Sequence, residues 1–146
     1  MKLLFQKCRE GASLPTRATP YSAGMDLTAC LDAPVTIEAG QRALIPTGLK
    51  AAPAQNDVVL LIYARSGLAI KHGITMANCV GVVDADYRGE ICVPLLNVSD
   101  TAFTVEHGMR IAQLVVTPVV LPECELADSL PDTQRGTEGF GSTGMK

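Results

Sequence analysis

Short apolar runs broken by turn residues organise this chain; long helical stripes are scarce. Val58 to Tyr63 reads V-V-L-L-I-Y, a β-branched and aromatic run of strand length. Residues 91–96, I-C-V-P-L-L, read as a second strand, with Pro94 pushing it toward an edge or a bulge because proline has no N–H for a ladder. Residues 111–120, I-A-Q-L-V-V-T-P-V-V, fit a helix by spacing, but four valines and Pro118 make strand the better reading. Shorter strands are expected at 3–7, 26–30, 35–37, 42–45 and 104–105, separated by turn signals at 38–40, 46–48, 97–100 and 106–108. The one helix expected is a short turn over 65–71, ended by Gly73. Residues 121–133 read as a polar, proline-bounded connector. Many short strands without an internal repeat predict an all-β fold, a sandwich or a barrel-like jelly roll.

The last segment breaks this pattern. Residues 135–144 read R-G-T-E-G-F-G-S-T-G, too glycine-rich to hold a helix or strand unaided. A flexible arm over 135–146, following a barrel and connector over 1–134, is the expected division. The arm nonetheless carries a cation in Arg135, a stacking surface in Phe140 and hydroxyls in Ser142 and Thr143, groups that suit a nucleotide.

Composition narrows the setting. With 146 residues, 47% hydrophobic and 18% charged, the chain suits one domain with a buried core. No apolar run approaches the roughly 18–20 residues that cross a bilayer, and the start M-K-L-L-F-Q-K has too short an apolar stretch for a signal peptide, so a cytoplasmic protein is expected. A net charge of −3 without a basic stretch argues against binding a nucleic acid chain, though not against a mononucleotide. Cys8, Cys30, Cys79, Cys92 and Cys124 form no C-x-x-C, and His72 and His107 stand at no metal-ligand spacing to them; buried free thiols are expected.

Four further segments could carry chemistry. A-G-M-D-L at 23–27 puts Asp26 at a strand start, where a solvated aspartate is the plain alternative to a ligand. A-R-S-G-L-A at 64–69 has Arg65 directly after the apolar run, with Ser66 and Gly67 opening a turn that suits phosphate or is simply a capped turn. N-C-V-G-V-V-D-A-D-Y-R-G-E at 78–90 reads as a hairpin whose Asp84 and Asp86 suit a general base, a metal site or a solvated tip. G-M-R-I-A-Q-L at 108–114 puts Gln113 inside an apolar strand, where its amide needs a partner in the core or in a ligand.

Taken in order, A-G-M-D-L, A-R-S-G-L-A, G-V-V-D-A-D-Y-R-G-E, G-M-R-I-A-Q-L and R-G-T-E-G-F-G-S-T-G resemble the five motifs of the homotrimeric dUTP diphosphatases, over nearly the whole chain. The resemblance implies a jelly-roll β-barrel, three active sites shared among three subunits, and hydrolysis of dUTP to dUMP and pyrophosphate with Mg²⁺ on the triphosphate. It makes Asp84 the residue that activates the attacking water and Asp26 the carboxylate that helps hold the metal through water. Arg65, Ser66, Gly67 and Gln113 then match phosphate contacts. Asn78 and the backbone around Gly81 match the uracil-reading surface, and Tyr87 the aromatic on the deoxyribose. In the arm, Arg135 matches a γ-phosphate contact and Phe140 the residue over uracil, while Gly141, Ser142 and Thr143 belong to further phosphate binding. Met109 replaces a common acidic residue, which leaves Arg110 without a sequence-adjacent partner and suggests a structural role for it. Glu138 replaces a frequent glycine and is expected to point outward.

Two other readings share the scaffold. A dCTP deaminase has no such glycine-rich clamp, so the tail favours the diphosphatase. A nucleotide-dependent protein-binding module would be an added activity, since the motifs leave little room for an inserted segment.

Overall fold

The computed structural model describes residues 1–137 and Gly139. Eleven strands and one helix follow in the order β1 Leu3–Lys7, β2 Met25–Thr28, β3 Val35–Ile37, β4 Arg42–Pro46, β5 Leu49–Pro53, β6 Val58–Tyr63, α1 Ser66–His72, β7 Ile74–Met76, β8 Gly81–Val83, β9 Cys92–Asn97, β10 Phe103–Val105 and β11 Arg110–Pro118. They pair antiparallel into β2-β11-β6-β8, β4-β9-β7, β1-β5 and β3-β10, the all-β fold expected from the strand spacing and jelly-roll-like as the resemblance implies.

The apolar pattern accounts for the core. β6 lies between β11 and β8 and buries Val58, Val59, Leu60 and Ile62, which is why it reads as a continuous run and not an alternation. β9 alternates: Val93, Leu95 and Asn97 point inward. Leu27, Ile37, Ile45, Leu60, Ile74, Ile91, Ile111 and Leu114 meet them in one cluster drawn from most of the strands, each large side chain contributing about 1.5–3 kcal/mol by leaving water. The buried Asn97 amide is fully employed. Its Nδ2 donates to the carbonyls of Ile37 (2.9 Å) and Thr101 (2.7 Å), and its Oδ1 accepts from the N–H (3.0 Å) and hydroxyl (2.7 Å) of Ser99.

Several expectations need correction. β5, β7 and β8 escape pattern reading because β5 after Leu49 is Lys, Ala and Pro, poor strand formers, and the other two have three residues each. Pro94 sits in the middle strand of its sheet, opposite Leu44, neither at an edge nor at a bulge. The β7 ladder stops at the Met76–Leu95 pair, one step before Pro94, and the Pro94 carbonyl takes the N–H of Ala77 at 2.8 Å, so the missing donor falls where the ladder has ended. Residues 78–90 form no hairpin: β8 pairs with β6 while β9 pairs with β4 and β7, so the segment crosses between sheets. All five cysteines are free, but only Cys30 is buried; Cys92 is half-buried, and Cys8, Cys79 and Cys124 lie on turns and the connector, exposed. Burial pushes the Cys30 and Cys92 thiols upward.

The helix covers Ser66–His72, one residue later than expected, and Gly73 ends it at φ 64°, its N–H bonding back to the carbonyls of Ala69 and Leu68. A Cβ on Gly73 would also meet the Cβ of Ser99 at 2.8 Å, so packing as well as backbone conformation calls for glycine there. The connector after β11 has no regular structure, and Val120, Leu121, Leu126 and Leu130 are exposed along it. No helix among the described residues is long and apolar enough to cross a membrane.

Candidate active site

Strand register assembles one cleft. In the β2-β11-β6 stretch of the largest sheet, Asp26 stands opposite Gln113 and Gln113 opposite Tyr63, so the three share a face. The chain leaves β6 through Ala64 into Arg65, Ser66 and Gly67, which line the same cleft of about 350 Å³ with Asp26, Arg110 and Gln113. Arg110 reaches this face through a bulge: Leu27 pairs with Ala112, but Thr28 pairs with Arg110, so Ile111 is the extra residue. Ile111 stays in the core, 1% exposed, while Arg110 comes round to the side of Asp26.

The electrostatics are asymmetric. Arg65 Nε meets Asp26 Oδ1 at 3.0 Å and Arg110 Nη1 meets Oδ2 at 3.1 Å, while Arg65 Nη1 donates to the Arg110 carbonyl at 3.1 Å. Two guanidinium groups share one carboxylate, a local charge of +1 that an anion would balance. Arg110 therefore has a partner, supplied by fold and not by sequence adjacency. Gln113 Nε2 donates to the Ala64 carbonyl at 2.9 Å, the core hydrogen bond that the sequence left as one of two options. Gly24 makes room for that amide, since a Cβ there would stand 2.5 Å from Gln113 Oε1. Arg17 pins the approach to β2 by donating to the carbonyls of Ser22 (2.7 Å) and Ala23 (2.9 Å). At Gly67 a Cβ would meet nothing within 4 Å, so the space over the helix start is open.

A second cleft, about 400 Å³, holds Asn78, Gly81, Asp84 and Tyr87 against apolar walls from Leu44, Ile62, Met76 and Pro94. It shares no lining residue with the first. Its floor depends on the β7-to-β8 crossing, where Cys79 adopts φ 63° and the Val80 N–H bonds the Asn78 carbonyl at 2.7 Å. Among the described non-glycine residues Cys79 alone has a positive φ, a costly conformation that recurs beside functional sites. Gly81 packs on Ile62, 3.1 Å from where a Cβ would sit. Asp84 is exposed at the rim and its carboxylate makes no hydrogen bond or ion pair among the described residues, while its backbone carbonyl accepts the Tyr87 N–H at 3.1 Å. Arg88 Nη1 donates to the carbonyls of Ala85 (2.7 Å) and Tyr87 (2.9 Å), which stiffens the turn.

Of the residues picked from sequence, the structure thus gathers Asp26, Arg65, Ser66, Gly67 and Gln113 in one cleft and Asn78, Gly81, Asp84 and Tyr87 in another. Arg135 lies beyond the barrel. Phe140, Gly141, Ser142, Thr143 and Glu138 lie outside the described residues. Sequence reasoning missed Gly24, Arg17 and Arg88, whose roles rest on a close approach to Gln113 and on side-chain bonds to backbone carbonyls, which leave no motif.

A family model described as dUTPase matches residues 10–144. A deoxyuridine 5'-triphosphate nucleotidohydrolase of Roseobacter denitrificans is 54% identical over 132 residues, covering 90% of this chain and 86% of its own. One from Desulfitobacterium hafniense is 48% identical over 145 residues, covering 99% and 96%. Among solved structures, Staphylococcus bacteriophage 80alpha dUTPase with dUPNHPP matches at TM-score 0.88 and 25% identity over 99% of both chains. In fold alone, a dUTPase variant from phage phi11 of S. aureus, described as coordinating a structural Mg(II) ion, matches at TM-score 0.81 and 21% identity over 90% of this chain and 100% of its own. The motifs, the fold and these relatives agree: the chain belongs to the dUTPase family.

Proposed function

We infer that this chain hydrolyses dUTP to dUMP and pyrophosphate in sites shared between subunits of a homotrimer. The observation that carries this reading is the division of labour between the clefts. The cationic one suits phosphates and the apolar one, with a carboxylate at its rim, suits a base, a sugar and a positioned water, yet within one chain they have no residue in common. A neighbouring copy bringing its own second cleft to the first would complete the site.

In that arrangement Arg65, Ser66 and Gln113 hold the phosphates, and the Asp26 carboxylate keeps the two guanidinium groups oriented before substrate arrives. Asn78 and the bare backbone at Gly81 read the edge of uracil; a slot of fixed hydrogen-bonding groups rejects a base that leaves them unpaired. Tyr87 packs on the deoxyribose where a 2′-hydroxyl would stand. Asp84 orients a water and accepts its proton as the water attacks the α-phosphorus, with pyrophosphate leaving in line. Arg135, Phe140, Gly141, Ser142 and Thr143 close over the bound nucleotide and exclude other water. The cytoplasm is the place of action we propose for this chain.

Mg²⁺ fits this chain as a companion of the substrate. Among the described residues no cluster of three His, Cys, Asp or Glu side chains forms a cage. An ion that keeps most of its water and rides on a triphosphate needs only one nearby carboxylate, and Asp26 supplies it. When bound, the ion neutralises phosphate charge.

Two experiments test the reading. Asp84→Asn should keep nucleotide binding and lower the rate of pyrophosphate release by about 10²- to 10⁴-fold; near-normal turnover removes Asp84 from the role of base. Coexpressed Arg65→Gln and Asp84→Asn chains, each inactive alone, should recover about a quarter of wild-type activity if each site draws on two subunits. No recovery from mixed trimers would mean that each site lies within one chain.

A further inference from the structure

The second cleft is anchored from a residue that lies before all five motifs. Arg9 follows β1, and its guanidinium grips Glu90 with two hydrogen bonds, Nε to Oε1 at 2.6 Å and Nη2 to Oε2 at 3.0 Å. The Gly48 N–H donates to the same Oε1 at 2.9 Å, so the carboxylate is held from two sides. The backbone follows suit: the Ile91 N–H bonds the Leu49 carbonyl at 2.8 Å and the Thr47 hydroxyl bonds the Ile91 carbonyl at 2.6 Å. Glu90 is thereby a fixed point.

From it hangs the tyrosine. The Tyr87 hydroxyl donates to the Glu90 carbonyl at 3.1 Å, and the ring lies over Gly89 so closely that a Cβ there would collide with the ring and its oxygen. Neither of the clamping groups, Arg9 and Gly48, lines the cleft. A bidentate guanidinium–carboxylate pair restricts orientation in a way that a lone ammonium cannot.

We propose that Arg9 is a positioning residue for Tyr87, acting through Glu90, and that it thereby sets discrimination between deoxyribose and ribose at this site. The proposal rests on the reading of Tyr87 as the residue that packs on the sugar. Without the Arg9 fork, Glu90 keeps only the Gly48 N–H, its carbonyl shifts, and the tyrosine hydroxyl loses its fixed acceptor. The ring then yields the room that a 2′-hydroxyl needs.

The test is kcat and KM for dUTP and UTP in the full chain and in Arg9→Lys, Arg9→Gln, Tyr87→Phe, Tyr87→Ala and the Arg9→Gln/Tyr87→Phe double variant, each checked for folding by thermal melting. Arg9→Gln should lower the preference for dUTP over UTP about fivefold, with kcat for dUTP held within about twofold, as for two groups coupled through a third. Arg9→Lys should fall in between, and the double variant should be no worse than Tyr87→Phe alone. An unchanged preference in Arg9→Gln, together with a relaxed one in Tyr87→Ala, overturns the proposal and leaves the sugar reading standing. An unchanged preference in Tyr87→Ala overturns the sugar reading and this proposal with it. A second readout is independent of catalysis. The chain has no tryptophan and three tyrosines, so in a Tyr21→Phe/Tyr63→Phe background the emission belongs to Tyr87. Arg9→Gln should alter that emission, and an unaltered signal also overturns the proposal.

Discussion

The two clefts are built by different means. The cationic cleft is a product of register: three paired strands put Asp26, Gln113 and Tyr63 in a row, and a bulge adds Arg110. Its chemistry rides on ladder hydrogen bonds made for the fold as a whole. The apolar cleft sits where ladders stop, on a crossing between sheets and a turn held by the Arg88 side chain reaching two backbone carbonyls and by a carboxylate gripped by Arg9 just past the first strand. Charge is fixed by regular structure, whereas the surface that must read shape is fixed by loop contacts. The first should resist small perturbations and fail when its charges are removed. The second should lose selectivity before it loses turnover.

Perturbations of decreasing size separate the two. Arg65→Gln breaks the cationic cleft outright: one guanidinium and its bond to the Arg110 carbonyl go, and kcat/KM for dUTP should fall about 10²- to 10³-fold in a steady-state assay with the barrel still folded. Gly24→Ala strikes the same cleft through a neighbour, pushing the Gln113 amide off its place, and should cost about tenfold in kcat/KM. Gly67→Ala is the sharper probe. Its Cβ meets nothing and the site is helical, so stability to urea should rise by about 0.4–1 kcal/mol. Lower activity in that more stable variant would mark the open space as the approach for substrate. Smallest is the pH effect on the loop anchor. The Arg9 hydrogen bonds hold the Glu90 carboxyl below the usual range. A depressed carboxyl stabilises the fold above its unfolded value and loses that stabilisation as pH falls through the folded one. The difference in melting temperature between wild type and Arg9→Gln should therefore be full above about pH 5 and close at lower pH.

The same contrast explains what was legible in the sequence. β1, β3 and β6 could be read residue for residue, because burial leaves its period in side-chain type. The groups of the cationic cleft were legible as residue types, but not the pairing of Arg110 with Asp26, since a one-residue bulge leaves no mark in composition. Residues 78–90 looked like a hairpin because glycines bracket a polar tip; only the competing pairings of β8 with β6 and of β9 with β4 and β7 turn it into a crossing. Arg9 gave no local signal, because its partner lies 81 positions away. Exposure of Cys8, Cys79 and Cys124 was missed for a related reason: thiols are usually buried, but the topology puts these on turns and the connector.

The bulge at Ile111 bears on how this chain can change over time. Before it, β11 presents Arg110 toward Asp26; after it, Gln113 faces the same way although three positions separate them. The strand is thus written in two reading frames spliced at one residue. Substitutions along it alter one side chain each, but flattening the bulge at unchanged length would turn Arg110 to the opposite face of the sheet. With Arg110 and Gln113 three positions apart, the bulge is what the strand must keep, and drift in its amino acids can proceed only where it is kept.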